Sequence, residues 1–287
     1  MSTEKTKDVS DWWSSNPQTY GDLHGKPLYG GERDAFGEAE FFKNADRTMF
    51  EWNRGLGEKE PFDRLFPYER YRGKRVLEIG CGMGAMASLW ARHGADVTAV
   101  DLAPFSIETT RRRFAMMGLS GNIMQSDGRS LPFADGEFDY VYSWGVLHHS
   151  PDLAQSMREM MRVLKRGGEF GLMLYHRRSL FYIWRILYRE GFVHNERCFV
   201  DPVALSSRYT DASEAEGNPH TWPVTRAELR GMLGPYTVNL GFRVLGEEVN
   251  HILNMMLPGL ERVLPAWAVK PWAARLGWSL WSFGVRT

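Results

Sequence analysis

Glu78, Gly80, Gly82, Asp101, Asp127 and the pair His148-His149 are the residues whose types and spacing could do chemistry. Gly80, Gly82 and Gly84 alternate directly after an apolar, branched run, Arg75–Ile79, and ahead of a helical pattern over Met86–Arg92. A strand that passes through glycines into a helix leaves backbone N–H groups free and lets a ligand come close to them. Glu78 adds a carboxylate at the mouth of the strand. A carboxylate there repels phosphate but suits a ribose hydroxyl or a cationic ligand.

The glycines alone do not choose the ligand. Gly80, Gly82 and Ala85 also satisfy the dinucleotide fingerprint G-x-G-x-x-G/A, which leaves nicotinamide, flavin and S-adenosylmethionine open. Cys81 reads as a small residue in the turn. Asp101 ends the second strand, points at the glycine turn and can take both ribose hydroxyls; its other reading is a helix N-cap ahead of Pro104. Asp127 and Gly128 end the third strand, where a carboxylate can accept from an adenine amino group, or simply close a turn. The fourth strand delivers Ser143, Trp144 and Gly145 to the carboxyl edge of the sheet, where open α/β sheets bind ligands. His148 and His149 follow on the next turn, and Tyr175 and His176 follow the fifth strand. Each of these four could act as a general base or be structural.

The positioning elements alternate. Strands are expected at Arg75–Ile79, Asp96–Val100, Gly121–Gln125, Phe138–Ser143 and Glu169–Leu174. Helices are expected at Ala85–His93, Pro104–Met117 and Asp152–Leu164. This alternation predicts an α/β domain with a parallel sheet and helices on both faces. Residues 1–67 read as an N-terminal extension, disordered at first, then aromatic (Trp12, Trp13, Tyr20), then helical over Phe41–Trp52. It is either a cap on the sheet edge or a lid over the ligand. Residues 68–174 and 224–287 form the domain, and 175–223 an aromatic, substrate-side insertion, because a compact domain would have a short connection there. Tyr236–Leu240 and Phe242–Leu245 read as a final pair of strands, and Leu253–Phe283 as short helices on the body.

Thirty-five basic and thirty-five acidic residues cancel, so no field advertises nucleic acid. Cys81 and Cys198 make no metal or redox spacing, and no metal site is expected. The charged N-terminus is unlike a secretory signal, and no apolar run approaches membrane-spanning length. A cytoplasmic protein with a small-molecule substrate is expected; the oligomeric state stays open. Aromatic residues at both ends, including Trp222 and the Trp267–Trp281 region, suit an apolar or aromatic substrate pocket.

Several runs occur together in order: Glu78-Ile-Gly-Cys-Gly-Met-Gly84, Val100-Asp101, Asp127, the Ser130 run to Val141, Val146-Leu-His-His149 and Leu164-Lys-Arg-Gly-Gly168. As a set this resembles the class I S-adenosylmethionine-dependent methyltransferases, in the branch of quinone-biosynthesis and small-molecule enzymes. Ser207-Arg-Tyr-Thr-Asp211 and Gly217-Asn-Pro-His220 are similar to a bacterial subgroup of that family. The resemblance implies a Rossmann-like seven-stranded sheet ending in an antiparallel hairpin, with S-adenosyl-L-methionine as cofactor. It implies that Gly80, Cys81 and Gly82 run along the methionine part with Glu78 beneath. Asp101 would hold the ribose, Leu102 would lie against the adenine, and Asp127 and Gly128 would meet its edge. Ser143 and Trp144 would border the methyl path. No Asn-Pro-Pro-Tyr run follows the fourth strand, which disfavours base or glutamine amino groups as acceptors. Two alternatives remain: an NAD(P)-dependent oxidoreductase, for which a second glycine fingerprint is missing, and a non-catalytic binding module of the same fold.

Overall fold

The computed structural model describes residues 3–16, 38–211, 217–246, 248–260 and 264–287. Its centre is one seven-stranded sheet in the order β3-β2-β1-β4-β5-β7-β6. The strands are β1 (Arg75–Ile79), β2 (Asp96–Asp101), β3 (Asn122–Gln125), β4 (Phe138–Trp144), β5 (Leu164–Tyr175), β6 (Thr237–Leu245) and β7 (Ser279–Arg286). β1 to β5 run parallel, and β7 lies antiparallel between β5 and β6. The expected α/β class and seven-stranded sheet are what the chain forms.

The two faces differ in chemistry. One carries an aromatic core of Phe66, Trp90, Tyr140 and Tyr142, with α3 (Ala85–Arg92) laid over it. The other is aliphatic: Leu77, Ile79 and Val141 pack against Met157, Met160 and Met161 of α5 (Leu153–Val163). Alternation along β1 puts Glu78 on the same side as Val76, the aromatic face. Local signals start the helices. Pro104 opens α4 (Pro104–Met116), Asp152 accepts from the Gln155 N–H at 3.0 Å to cap α5, and Thr225 and Glu228 make a reciprocal cap on α7 (Arg226–Leu233).

Three expectations need correction. Residues 3–15 are not disordered: α1 spans Thr3–Ser15, because Val9 and Trp13, one turn apart, give an otherwise charged segment an apolar side, on which Val9 is buried. Residues 236–245 are not two strands. Thr237–Leu245 form the single strand β6, with a register shift between Val238 and Gly241. Asn239, at φ 55°, makes the kink, so Asn239-Leu240-Gly241 resembles a hairpin turn but acts as a bulge. Its partner is Ser279–Arg286, the first part of which, to Phe283, was expected to be helical. That segment buries Leu280, Trp281 and Ser282 as the inner strand β7. The short helices expected upstream are present as α8 (Val249–Met256) and α9 (Ala266–Leu276).

Lys165-Arg166-Gly167-Gly168 follows the end of α5 directly and lies inside β5, where the pairing with β4 is irregular. In the 175–223 region a π-type helix, Phe181–Val193, is followed by α6 (Pro202–Tyr209). The extension helix α2 (Glu38–Trp52) is held by Arg113 of α4. Arg113 is 1 % exposed and makes a two-pronged ion pair with Asp46 at 2.7 and 2.8 Å. Tyr20 of the expected aromatic stretch lies outside the described residues.

Candidate active site

The glycine turn sits where β1 meets α3. Gly80, Gly82 and Gly84 all have positive φ (85°, 52° and 74°). A Cβ on Gly80 would lie 2.4 Å from both methyl carbons of Val146, so that position is closed by the turn after β4. A Cβ on Gly82 would meet nothing within 4 Å. The chain therefore leaves an open concave backbone at Gly82 and a packed one at Gly80. Met83, next in line, is buried against Phe41, Phe42 and Ala45 of α2.

Two acids adjoin this turn, and a third, Asp127, follows β3. Asp101 accepts from the Gly82 N–H and the Ala103 N–H, both at 2.9 Å, and burial raises its pKa while those two N–H groups oppose the rise. Glu78 is 3 % exposed, and its Oε2 has no hydrogen-bond partner. Burial pushes its carboxyl up to about 8, with Tyr142 and the Ala87 backbone pulling the other way. Asp127 differs. Burial would raise it, but the Arg129 guanidinium, at 2.7 to 3.1 Å, and the Arg129 N–H hold it below the usual carboxylate range. Gly128 is pressed against Ile79 and Leu147, and a Cβ there would fall 3.2 Å from the former.

The remaining expected residues divide. Cys81 is buried, with Sγ 3.6 Å from the Thr110 hydroxyl, and its thiol is pushed up by burial. Leu102 offers its carbonyl to Gln125 at 2.9 Å and to Ser10 of α1 at 3.1 Å. Ser143 is fully buried and donates to the Ile79 carbonyl at 2.7 Å, so its hydroxyl ties β4 to β1. Trp144 packs edge-on to Phe62 at 4.8 Å, within the aromatic core.

His148, His149 and Tyr175 come together. Their rings lie 4.3 Å (His148 to His149) and 3.8 Å (His148 to Tyr175) apart. His148 is fully buried, which with the neighbouring His149 holds its imidazole well below its ordinary pKa. His176 is placed apart. It faces the opposite way along β5, with Nδ1 3.2 Å from the Gly277 carbonyl, and pins the base of the 175–223 region. Asp211, which sequence reasoning did not single out as a site residue, joins the cluster. The Tyr175 hydroxyl donates to its Oδ1 at 2.5 Å, and His149 Nε2 lies 3.4 Å from its Oδ2. Its run, Ser207 to Asp211, was the available signal.

α1 bridges the two regions. Ser10 bonds Leu102 beyond β2, and Trp13, one turn later, sets its ring 4.9 Å from His149 beyond β4. Trp278 stacks on Tyr175 at 4.3 Å, whereas Trp267 (74 % exposed) and Trp272 (61 %) face solvent.

Comparison with known proteins decides what this crevice belongs to. Residues 77–172 match the family model described as a methyltransferase domain. This stretch, about a third of the chain, is thus similar to a methyltransferase domain. Over 150 residues the chain is 34 % identical to a ubiquinone biosynthesis O-methyltransferase of Xanthomonas oryzae, covering 47 % of this chain and 60 % of that one. Over 96 residues it is 41 % identical to the sterol 4-C-methyltransferase strm-1 of Caenorhabditis elegans, covering 33 % and 29 %. The chain thus spans less than two thirds of the length of these relatives. Two solved structures share the fold: the PH0226 protein of Pyrococcus horikoshii (TM-score 0.55, 16 % identity, covering 96 % of this chain and 99 % of that one) and the cyclase SpnF (TM-score 0.54, 18 % identity, covering 98 % and 96 %).

S-adenosylmethionine is the cofactor of the methyltransferase domain, and the residues present fit it. The open backbone at Gly82 admits a close ligand, and the orphaned Glu78 Oε2 suits a cationic amine rather than a phosphate. Among the described residues no helix is long and apolar enough to cross a membrane.

Proposed function

We propose that the chain transfers a methyl group from S-adenosylmethionine to a small, apolar or aromatic metabolite by direct displacement. The observation that carries this reading is the open glycine turn at Gly82, braced by Asp101 and flanked by Glu78, whose Oε2 has no hydrogen-bond partner. When bound, S-adenosylmethionine supplies an electrophilic methyl carbon on a sulfonium with a neutral leaving group.

The chain's own part is to bind, align and dry. In this reading Gly80, Cys81 and Gly82 line the methionine part, with Glu78 taking its ammonium. Asp101 holds the ribose, Leu102 lies on the adenine, and Asp127 and Gly128 bound its edge. Ser143 and Trp144 act indirectly, through β4 and the aromatic core. His148, His149 and Tyr175 face the acceptor, where a proton leaving a hydroxyl or an acidic carbon would go. His176 positions Tyr175 through the backbone.

The apolar acceptor is favoured by Trp13, Tyr175 and Trp278, which crowd the cluster. Two relatives are named for ubiquinone biosynthesis and for a sterol, both apolar products. We read residues 1–67 as a lid, 68–174 with 224–287 as the catalytic domain and 175–223 as the acceptor side. The balanced charge favours no nucleic-acid partner, and a cytoplasmic location suits two unpaired cysteines.

The cyclase that shares the fold makes a second chemistry on this scaffold a fair rival, because fold alone does not set the reaction. Calorimetric titration with S-adenosylmethionine, S-adenosylhomocysteine and NAD, followed by labelled-methyl transfer to quinol, phenol and sterol panels, tests the proposal. Binding of the first two with label appearing in an acceptor is expected. Binding of NAD alone, or of S-adenosylmethionine without transfer to any acceptor, would overturn it.

A further inference from the structure

Three separate segments bring four side chains to one point above the ends of β4 and β5. His148 and His149 come from the turn after β4, Tyr175 from the last position of β5, and Asp211 from just beyond α6. One ligand atom from each of His148, His149 and Asp211 lies within 4.8 Å of the others. His149 Nε2 and Asp211 Oδ2 are 3.4 Å apart.

The hydrogens of this cluster follow from its neighbours. His149 Nδ1 is 2.8 Å from the His220 carbonyl oxygen, which can only accept, so Nδ1 carries the hydrogen. Its other neighbour, the Thr221 hydroxyl at 3.1 Å, gives its own hydrogen to Asn218 Oδ1 and also accepts. A neutral His149 therefore turns the Nε2 lone pair toward a carboxylate oxygen. Neither atom has a hydrogen-bond partner. Two acceptors face each other across a gap that something positive must fill. His148 sharpens the point: its side chain is fully buried, and neither ring nitrogen has a partner. Burying such groups without partners costs stability, so a molecule that retains four such atoms in one place has a use for them.

We propose that His148, His149 and Asp211 bind one divalent transition-metal cation, with the Tyr175 hydroxyl steadying the carboxylate through its other oxygen. Two imidazoles and a carboxylate suit zinc, cobalt or ferrous iron better than calcium or magnesium, which prefer all-oxygen shells. The His149 Nδ1–H donated to a backbone carbonyl is the outer contact that orients metal-bound imidazoles. Three protein ligands leave a coordination position open, and an acceptor oxygen is the group to take it. That last role rests on the methyl-transfer reading; cation binding does not. The ion would also tie residue 211 of the acceptor side to the edge of the sheet.

The test uses the full chain, stripped with chelator, dialysed and titrated with Co2+ while its ligand-field absorption is recorded. One equivalent should bind saturably, and His149→Ala and Asp211→Asn should each weaken binding at least about tenfold. His194→Ala, which alters an exposed histidine paired with Glu190, controls for surface binding and should change nothing. Circular dichroism and titration with S-adenosylhomocysteine on the same samples report separately on folding and on the cofactor crevice. No saturable Co2+ binding by folded wild-type protein, or equal binding in folded His149→Ala and Asp211→Asn, would overturn the proposal and leave a proton in the gap.

Discussion

Asp101 Oδ2 accepts the Gly82 N–H at 2.9 Å, so the acid that ends β2 holds the glycine turn that follows β1. The same carboxylate that would grip a ribose already sets the backbone on which the methionine part would lie. Asp101→Asn should therefore weaken S-adenosylhomocysteine binding at least about tenfold, or 1.4 kcal/mol. Titration calorimetry reads this directly, and equal affinities would remove Asp101 from the site.

Gly80 and Gly82 should fail in different ways. Gly80→Ala drives a Cβ to 2.4 Å from the Val146 methyls at a φ of 85°, and should cost about 2–4 kcal/mol of stability in urea. Gly82→Ala meets no protein atom within 4 Å, so it should cost only about 1–2 kcal/mol for the left-handed backbone. Its cofactor affinity should nonetheless fall at least about tenfold. Similar losses of stability in the two variants would contradict the open-backbone reading.

Glu78 should make stability depend on pH. Burial holds its carboxyl up at about 8, against an ordinary value of 4.5. The folded chain binds that proton more tightly than the unfolded chain. The contribution is complete below about 4.5 and is lost as pH rises through about 8. Melting temperature should thus fall more steeply over that window in the wild type than in Glu78→Gln. Parallel curves would place Glu78's proton elsewhere.

α1 should act on retention more than on folding. It touches the body through Ser10 and Leu102 at one end of the crevice and through Trp13 and His149 at the other. Removing residues 1–16 should speed release of S-adenosylhomocysteine at least about tenfold and leave the urea midpoint nearly unchanged. Stopped-flow displacement measures the first effect, and an unchanged rate would dismiss the lid.

The cofactor half was legible because its chemistry is local. Strand, glycines and helix follow one another within Arg75–Arg92, and the acids fall at strand ends that alternation alone predicts. The acceptor half was not. Asp211 meets His149 across most of the 175–223 region, and the contact exists only because α6 and the residues after it fold back to the sheet edge. No spacing rule encodes that return. β7 was missed because Ser279–Arg286 follows a proline-broken, tryptophan-rich helical stretch, and only its antiparallel partners make it a strand. Ser143 was placed at the methyl path by the resemblance, and the tie its hydroxyl makes to the Ile79 carbonyl is a contact that neither the resemblance nor its position encodes.

The place of β7 has a consequence for synthesis. β6 pairs with no described strand except β7, and β7 also completes β5. As the nascent chain leaves the ribosome, β5 shows an unpaired edge and β6 has nothing to join until Ser279–Arg286 emerges. The β5 border must stay open from Tyr175 to Ser279, through the making of more than a hundred residues, and over the last part of that stretch, from Leu245 to Ser279, the β6 border is open beside it.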